Sequence, residues 1–224
     1  MSELSSEMCD TGEVATRKYE QRLRADAADE TRRRILDAVA QRLRDAPTDP
    51  LSLDQVAGLA RVARSTIYLV FGSRAGLLQA FANDLWDRGG LADLTRAVAH
   101  PDAREHLRGG FRAGMEMYVE DRDVYRVLFS MSQLDPDADE GTITQKEQNR
   151  AGGMTHLAQR LAEQQLLLPH VTVSEAADLL WVLTSFESFD SLYTGRGLDI
   201  DDVVDLLIRT AERALLRDSD RGDS

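Results

Sequence analysis

The chain has 224 residues, of which 42% are hydrophobic, and it carries a formal net charge of −12. This length allows one or two domains with a substantial core, and no apolar run is long enough to span a membrane. The acidic first thirteen residues argue against a secretory signal, and the single cysteine, Cys9, excludes an internal disulfide, so we expect a cytoplasmic protein.

The charge is unevenly distributed along the chain. Between Val14 and Leu78 there are twelve Lys or Arg and eight Asp or Glu, whereas the segments on both sides are acidic. A positive face on an acidic body suits specific docking on DNA and limits non-specific adhesion. We expect residues 1–28 to form a flexible, partly basic extension. From residue 14 it is either an arm that reaches a DNA groove or a solvated helical extension of the next helix.

Residues 29–75 are predicted to form a domain of three helices. The first helix is expected to begin near Asp29 or Thr31, since apolar residues recur at helical spacing after that point. It is expected to end near Asp45, because Pro47 and Pro50 lack the N–H that a helix needs.

Residues 52–71 are predicted to form two short helices joined by a tight turn at residues 61–63. Ser52 and Gln55 have the spacing of a capping box at the start of the first helix. The second helix is predicted to bury Val62, Ile67 and Val70 or Phe71. Its other face, made of Arg64, Ser65, Thr66, Tyr68 and Leu69, is predicted to be polar, basic and aromatic. In the major groove such a face reaches phosphates and base edges. Similar helix pairs also occur in helical proteins that do not bind DNA.

Residues 31–78 resemble the DNA-binding domain of the TetR family of bacterial transcription regulators. The resemblance depends above all on residues 62–78, with Thr66-Ile67-Tyr68, Phe71, Ser73-Arg74 and Leu77-Leu78. It implies a homodimer that binds a double-stranded DNA operator with this domain and is released by a small-molecule effector. It also implies that Thr66, Tyr68 and Arg74 contact the phosphate backbone of the DNA. The predicted DNA-binding residues are therefore Ser52, Arg64, Ser65, Thr66, Tyr68, Leu69 and Arg74.

Three positions depart from the pattern of the family. Arg61 stands where Gly is usual, and a non-glycine residue with positive φ there is strained by about 1–2 kcal/mol. Ala63 replaces the usual Ser or Thr cap, whose loss costs about 1 kcal/mol. Val70 replaces the usual His or Tyr. These departures leave an alternative open, a helical interaction protein or small-molecule-binding protein that has lost DNA reading.

Residues 76–224 are predicted to form a helical effector-binding and dimerisation domain. The predicted fold class is therefore all-α, with an N-terminal three-helix helix-turn-helix domain and a C-terminal helical domain. A fourth helix, capped by Ser73, is expected from Arg74 to about Arg88. The resemblance implies that this helix belongs to both domains and transmits movement between them. Gly89-Gly90 is either its end or a hinge.

Helical periodicity continues from residue 102, with no strand signal. A break is predicted at residues 135–137, followed by a helix over 143–168 that Pro169 ends, one from Ser174 through Tyr193, and one from Asp201. The resemblance implies that the last two helices form a four-helix bundle with a second subunit, and the alternative is core within one chain. The predicted interface residues are Leu183, Phe186, Val203, Val204, Leu207, Ile208, Ala211 and Leu215.

An effector pocket is expected in the larger domain. Such sites are mostly apolar, and the candidate lining residues, each of which also suits ordinary core, are Trp86, Phe111, Met115, Tyr118, Tyr125, Phe129, Met154, Trp181, Phe186 and Phe189. No metal or cofactor is expected, because the four histidines lack helical metal-ligand spacing and no phosphate-binding loop is present. The resemblance implies a transcription repressor, and an enzyme is not expected.

Overall fold

The computed structural model describes residues 7–134 and 141–217, and within these ranges the secondary structure is helical, as predicted. The chain divides into two compact units, Met1–Leu77 and Leu78–Ser224. The described helices are α1 Glu7–Asp45, α2 Leu53–Ala60, α3 Arg64–Phe71, α4 Arg74–Arg88, α5 Leu91–Val98, α6 Ala103–Val119, α7 Arg122–Leu134, α8 Thr142–Glu163, α9 Val173–Leu183, α10 Phe186–Tyr193 and α11 Ile200–Leu215.

The first helix is longer than predicted. The expected start near Asp29 or Thr31 is wrong, since α1 runs unbroken from Glu7 to Asp45. Of the two alternatives for the basic N-terminal segment, the structure has the helical extension, and its side chains from residue 21 to residue 30 are exposed. The physical reason is that neither glycine nor proline interrupts residues 13–46, so nothing ends the helix earlier.

The core of the first unit is built as the apolar pattern predicts. In α2, the four residues predicted to share one face, Leu53, Val56, Ala57 and Ala60, are buried, and in α3 Ile67 is buried. The predicted capping box at the start of α2 is wrong. The Ser52 hydroxyl makes no cap hydrogen bond, and the Oε1 of Gln55 instead accepts a hydrogen bond from Arg42.

Arg42 is a buried arginine that ties α1 to the loop before α2. Its Nε donates to Gln55 Oε1 at 2.7 Å, and its two Nη atoms donate to the carbonyl of Ala46 at 2.8 Å and that of Pro50 at 3.3 Å. Only 6% of the residue is exposed. Because a buried guanidinium costs free energy unless its donors are satisfied, these bonds fix the position of α2 on α1.

We expect Arg42→Ala to lower the free energy of unfolding of the first unit by about 3 kcal/mol, because the substitution removes charge-assisted hydrogen bonds and the packing of a buried side chain. Urea denaturation followed by circular dichroism measures this change. Arg33→Ala, on the exposed face of the same helix, is the control and should change stability by less than about 0.5 kcal/mol. Equal effects of the two substitutions would contradict the structural role of Arg42.

The fourth helix has the predicted bounds, and the boundary between the two units falls inside it. Ser73 caps it as predicted, since the Ser73 Oγ accepts from the Gly76 N–H at 2.9 Å. Gly89-Gly90 is the end of the helix, and the positive φ of 107° at Gly90 starts the short helix α5, which was not predicted. A positive φ is a conformation that glycine adopts at little cost.

The second unit contains α5 to α11 packed around a largely apolar core. Helix α8 of this unit ends at Glu163, and not near Leu168 as predicted. The chain reverses at Gln165, where φ is 57°, and Leu167 then pairs with Leu216 in an isolated antiparallel bridge. The turn therefore comes before Pro169, which does not end the helix. The break predicted at residues 135–137 lies outside the described residues.

The helix predicted over residues 174–193 is divided into α9 and α10. A capping box between Thr172 and Glu175 begins α9, and the extended backbone of Ser185, with ψ of 155°, separates it from α10. The Ser185 hydroxyl accepts from the Ser188 N–H at 3.1 Å, which makes it a new N-cap.

Six of the eight residues predicted at a subunit interface are buried inside the single chain. Each has at most 4% of its surface exposed, and they are Phe186, Val203, Val204, Leu207, Ala211 and Leu215. A side chain without exposed surface has none to bury against a partner, so these six are core residues. For these six residues the alternative, ordinary core within one chain, therefore applies. Leu183 and Ile208 are partly exposed.

Candidate functional site

The turn between α2 and α3 is closed by backbone hydrogen bonds. The Arg61 N–H donates to the Gly58 carbonyl at 3.2 Å, and the Val62 N–H donates to the Ala57 carbonyl at 3.0 Å. Arg61 is left-handed, with φ 55° and ψ 46°, so the strain expected at this position is present. Ala63 begins α3 without a side-chain cap, as its methyl group requires.

Helix α3 presents most of its surface to solvent. Ile67 is its one fully buried side chain, while Leu69 is 85% exposed and Tyr68 is 41% exposed. The predicted burial of Val62 and of Val70 or Phe71 is wrong, since all three are partly exposed. Arg64 and Ser65 are also exposed, and Thr66 is half-buried. The face predicted from the sequence is therefore brought together on one short helix.

The guanidinium of Arg64 is held by residues on both helices of the pair. It lies 3.0 Å from the nearer carboxylate oxygen of Asp54, on α2, and donates to the Tyr68 hydroxyl at 3.4 Å. The hydrogen bond with Tyr68 and the charge of Asp54 raise the pKa of Arg64, so the group keeps its charge. Both partners are exposed, and water screens such a pair strongly. Asp54 was not predicted as part of the site, although the sequence places it in the first turn of α2.

The other predicted DNA-binding residues flank this face. Ser52 lies at the start of α2, with its hydroxyl not engaged in a cap, and Arg74 begins α4. Both are half-buried. They belong to the ends of two helices that border the turn and α3.

Gly76 fixes the junction between α3 and α4. A Cβ atom on Gly76 would lie 2.1 Å from the carbonyl oxygen of Phe71, far inside contact distance. The end of α3 is also supported from α1, since the Arg32 guanidinium lies 4.8 Å from the centre of the Phe71 ring. The position of α3 thus depends on the absence of a side chain at residue 76.

A cavity of about 300 Å³ lies within the second unit, at the lower end of the usual range for small-molecule sites. Its walls come mainly from α5, α6 and α8, with Trp86 from α4. The apolar part of the lining consists of Trp86, Leu91, Leu94, Val98, Leu107, Phe111, Met117, Tyr118, Met154 and Leu157, together with the glycines Gly110, Gly114 and Gly153.

Polar groups enter this cavity from α6, from α8 and from Thr184 at the end of α9. They include the cations Lys146 and Arg150, with His106, Glu147, Asn149, His156 and Thr184. The Lys146 Nζ lies 4.4 Å from the centre of the Trp86 ring and donates to Asn83 Oδ1 at 2.8 Å. Partial burial lowers the pKa of Lys146. Arg150 forms an ion pair with Glu147 and donates to the Thr184 hydroxyl at 2.9 Å.

His106, near the start of α6, is a neutral group that also lines the cavity. Its Nδ1 lies 2.9 Å from an Nη atom of Arg160, and because a guanidinium only donates, Nδ1 accepts and the ring proton is on Nε2. Burial, and then the charge of Arg160, lower the pKa of His106 to about 4.

Four of the ten residues predicted to line a pocket do line this cavity: Trp86, Phe111, Tyr118 and Met154. The other six do not. Trp181 is 40% exposed, and Met115 is fully buried in the core. Tyr125, Phe129, Phe186 and Phe189 pack with Tyr118 in an aromatic cluster whose ring centres are 5.0–6.2 Å apart. The lining residues of α5 and the polar lining residues were not predicted, because no local sequence signal distinguishes them from ordinary helix surface.

Across residues 7–134 and 141–217, no group of three or more His, Cys, Asp or Glu side chains is placed to hold a metal ion. Nowhere in the described chain does a helix combine the length and apolar composition that crossing a bilayer requires.

Comparison with known proteins gives a consistent fold. No protein-family model matches the sequence, and no curated protein matches it. Among solved structures, NalD of Pseudomonas aeruginosa, the secondary repressor of the MexAB-OprM multidrug efflux pump, is 22% identical with a TM-score of 0.68, over 86% of this chain and 99% of that one.

Two other solved structures are similar over comparable lengths. A TetR family transcription regulator from Marinobacter aquaeolei VT8 is 17% identical with a TM-score of 0.63, over 86% of this chain and 98% of that one. AibR, solved in complex with isovaleryl coenzyme A and operator DNA, is 17% identical with a TM-score of 0.60, over 80% of this chain and 97% of that one. At these identities the likeness establishes the fold.

Proposed function

We propose that the chain, which has the fold of TetR-family transcriptional regulators, is a DNA-binding repressor that a small molecule releases from its operator. The observation that carries this proposal is the exposed face of α3. Arg64, Ser65, Tyr68 and Leu69 form this face, and Ile67 anchors the helix on its other side. A short helix held by one buried side chain leaves the rest of its surface free to enter a major groove.

Each residue of this face has a chemistry that suits DNA. We propose that Arg64 donates to a base edge or phosphate, and that Ser65 and Thr66 donate from their hydroxyls. Leu69, the most exposed of them, suits the methyl group of a thymine. Ser52, Tyr68 and Arg74 are proposed to contact the phosphate backbone on either side.

The proposal includes a homodimer, because two recognition helices must match half-sites about 34–36 Å apart on B-DNA. The exposed apolar side chains Trp181 and Val182, together with the partly exposed Leu183 and Ile208, support an interface on α9 and α11. Size-exclusion chromatography with light scattering tests this part, and a monomer at micromolar concentration would contradict it.

Release from the operator is proposed to follow a shift between two populations of the dimer. A ligand achieves this only if it binds the form with the wrong spacing of α3 helices better than the form that fits DNA. The cavity in the second unit is the proposed binding site. We propose that this DNA-binding protein acts in the cytoplasm.

A gel-shift assay with the DNA upstream of the chain's own gene tests the DNA-binding proposal. We expect a shift at nanomolar to micromolar protein that survives competitor DNA and weakens steeply with salt. A variant with Arg64, Tyr68 and Arg74 all replaced by alanine is the control and should give no shift. If the wild-type protein binds no more tightly than this variant, the alternative of a helical ligand-binding protein without DNA reading replaces the proposal.

Asp54→Asn is expected to raise the affinity for all DNA sequences about fivefold, since an exposed ion pair contributes up to about 1 kcal/mol. The carboxylate of Asp54 competes with DNA for Arg64 and repels phosphates nearby. Fluorescence anisotropy with specific and random duplexes measures the change, with Asp37→Asn, on the exposed side of α1, as the control. A loss of affinity for specific DNA in Asp54→Asn would instead mean that Asp54 positions Arg64 for binding.

A further inference from the structure

Two cations, Lys146 and Arg150, line the cavity, and among the described residues only Arg150 is paired with a carboxylate. The charge of Arg150 is paired with that of Glu147, which precedes it by one turn of α8. Lys146 has no such partner. Among the described residues no carboxylate lies within ion-pair distance of its ammonium, and the field of Asp87 reaches it only from further away.

The surroundings of Lys146 leave it able to bind an anion. Within the part of the chain that the structure describes, its one hydrogen bond goes to the amide oxygen of Asn83, and an ammonium has three donors. Its other contact is the face of the Trp86 ring, which excludes water from one side. A cation that has already lost part of its hydration gains more from an anionic partner than a fully solvated cation does.

The rest of the cavity suits an elongated apolar body. Lys146 and His156 both line it from α8, and ten residues of helix correspond to about 15 Å along the axis. His106 lines the cavity beside His156, with ring centres 6.3 Å apart, and it is neutral because its Nδ1 accepts from Arg160. The Arg160 donors beside His106 are taken by the carbonyls of Val98, His100 and Pro101, whereas the Lys146 ammonium has donors left, so the anionic group of a ligand is favoured at the Lys146 end.

Glycines in the middle of helices keep the cavity open. Gly114 on α6 and Gly153 on α8 line it, and a Cβ atom built on either meets nothing within 4 Å. Glycine inside a helix costs roughly 1 kcal/mol relative to alanine. No close neighbour in the described chain forbids a side chain at these two positions, so what the glycines supply is space.

We propose that the cavity binds an elongated hydrophobic carboxylate, with its carboxylate on the Lys146 ammonium and its apolar body between α5, α6 and α8. This inference deepens the proposed function by naming the chemical class of the effector. The binding itself depends only on the second unit, whereas its consequence for DNA rests on the proposed function.

The test compares three probes of equal chain length, decanoate, decanol and decylamine, by isothermal titration calorimetry with the full chain. We expect decanoate to bind at least tenfold more tightly than decanol, and decylamine to bind most weakly. Lys146→Gln should weaken decanoate binding about tenfold and leave decanol binding unchanged, which also reports that the cavity is intact. Arg209→Gln, on the exposed face of α11, should change neither.

A matched pair of glycine substitutions locates the site. Gly153→Leu should abolish binding of both decanoate and decanol, because the new side chain fills the cavity. Gly152→Leu, one residue earlier in the same helix and outside the lining, should leave both affinities unchanged. Circular dichroism of both variants checks that they fold.

Three results would overturn the inference: equal affinity for decanoate and decanol, tighter binding of decylamine, or no binding of any probe by the wild-type chain. A gel shift with and without decanoate separates this inference from the proposed function. Decanoate binding without an effect on DNA affinity would leave the ligand class standing and remove its role as effector. Absence of DNA binding altogether would remove the proposed function alone.

Discussion

A Gly76→Ala variant is expected to lose about 3 kcal/mol of stability in the first unit and at least tenfold in DNA affinity. The added Cβ would stand 2.1 Å from the Phe71 carbonyl oxygen, which is a backbone atom and has no rotamer with which to move aside. The end of α3 or the start of α4 must therefore shift, and such overpacking costs about 1–3 kcal/mol or more. Since α3 is the proposed recognition helix, its displacement also affects binding.

Gly58→Ala is the matched control for this substitution. Gly58 lies in α2 of the same unit, and a Cβ atom there meets nothing within 4 Å. We expect this variant to be more stable than the wild type by about 0.5–1 kcal/mol, because alanine has the higher helix propensity. Thermal denaturation and fluorescence anisotropy of both variants measure the two effects. If Gly76→Ala is as stable as Gly58→Ala, the close approach to Phe71 does not control the junction.

Arg64→Ala is expected to weaken binding to the operator about tenfold to hundredfold and to relax the preference for one base pair. A side chain that reads a base edge with two hydrogen bonds contributes about 1–3 kcal/mol of discrimination. Arg64 begins α3, the end of a recognition helix that approaches the bases, and its side chain is 52% exposed. Anisotropy against a panel of operators with single base-pair changes measures both effects.

Two substitutions at proposed phosphate contacts separate base reading from simple charge. Arg74→Ala should weaken binding to all sequences to a similar degree and reduce the slope of log affinity against log salt by about 1. Tyr68→Phe should weaken all sequences without changing the preferred base. If Arg64→Ala keeps the wild-type base preference, its role is that of a phosphate contact. An unchanged salt slope in Arg74→Ala would remove Arg74 from the set.

Local patterns were enough to predict the helix-turn-helix segment. The bounds of α2, α3 and α4 follow from apolar residues at helical spacing and from the cap at Ser73, which lies next to the helix that it begins. The left-handed turn at Arg61 and the uncapped start at Ala63 are also local properties. The exposed face of α3 is fixed as soon as Ile67 is placed inside.

The capping box shows where local reading fails. Ser52 and Gln55 have the right spacing, but the amide of Gln55 is taken by Arg42, which lies 13 residues earlier on another helix. A charged donor competes better for the amide oxygen than a backbone N–H does. The pattern was therefore present, and a tertiary hydrogen bond replaced it.

The sequence by itself determined the helical class, the helix-turn-helix segment and the residues on its exposed face, because periodicity and caps act over a few residues. Only the tertiary structure decided which apolar side chains are core and which line the cavity. Phe186 and Val203 are apolar in the same way whether they face a partner or their own chain. Asn83 and Lys146, which meet beside the cavity, are 63 residues apart, and their contact depends on how whole helices pack.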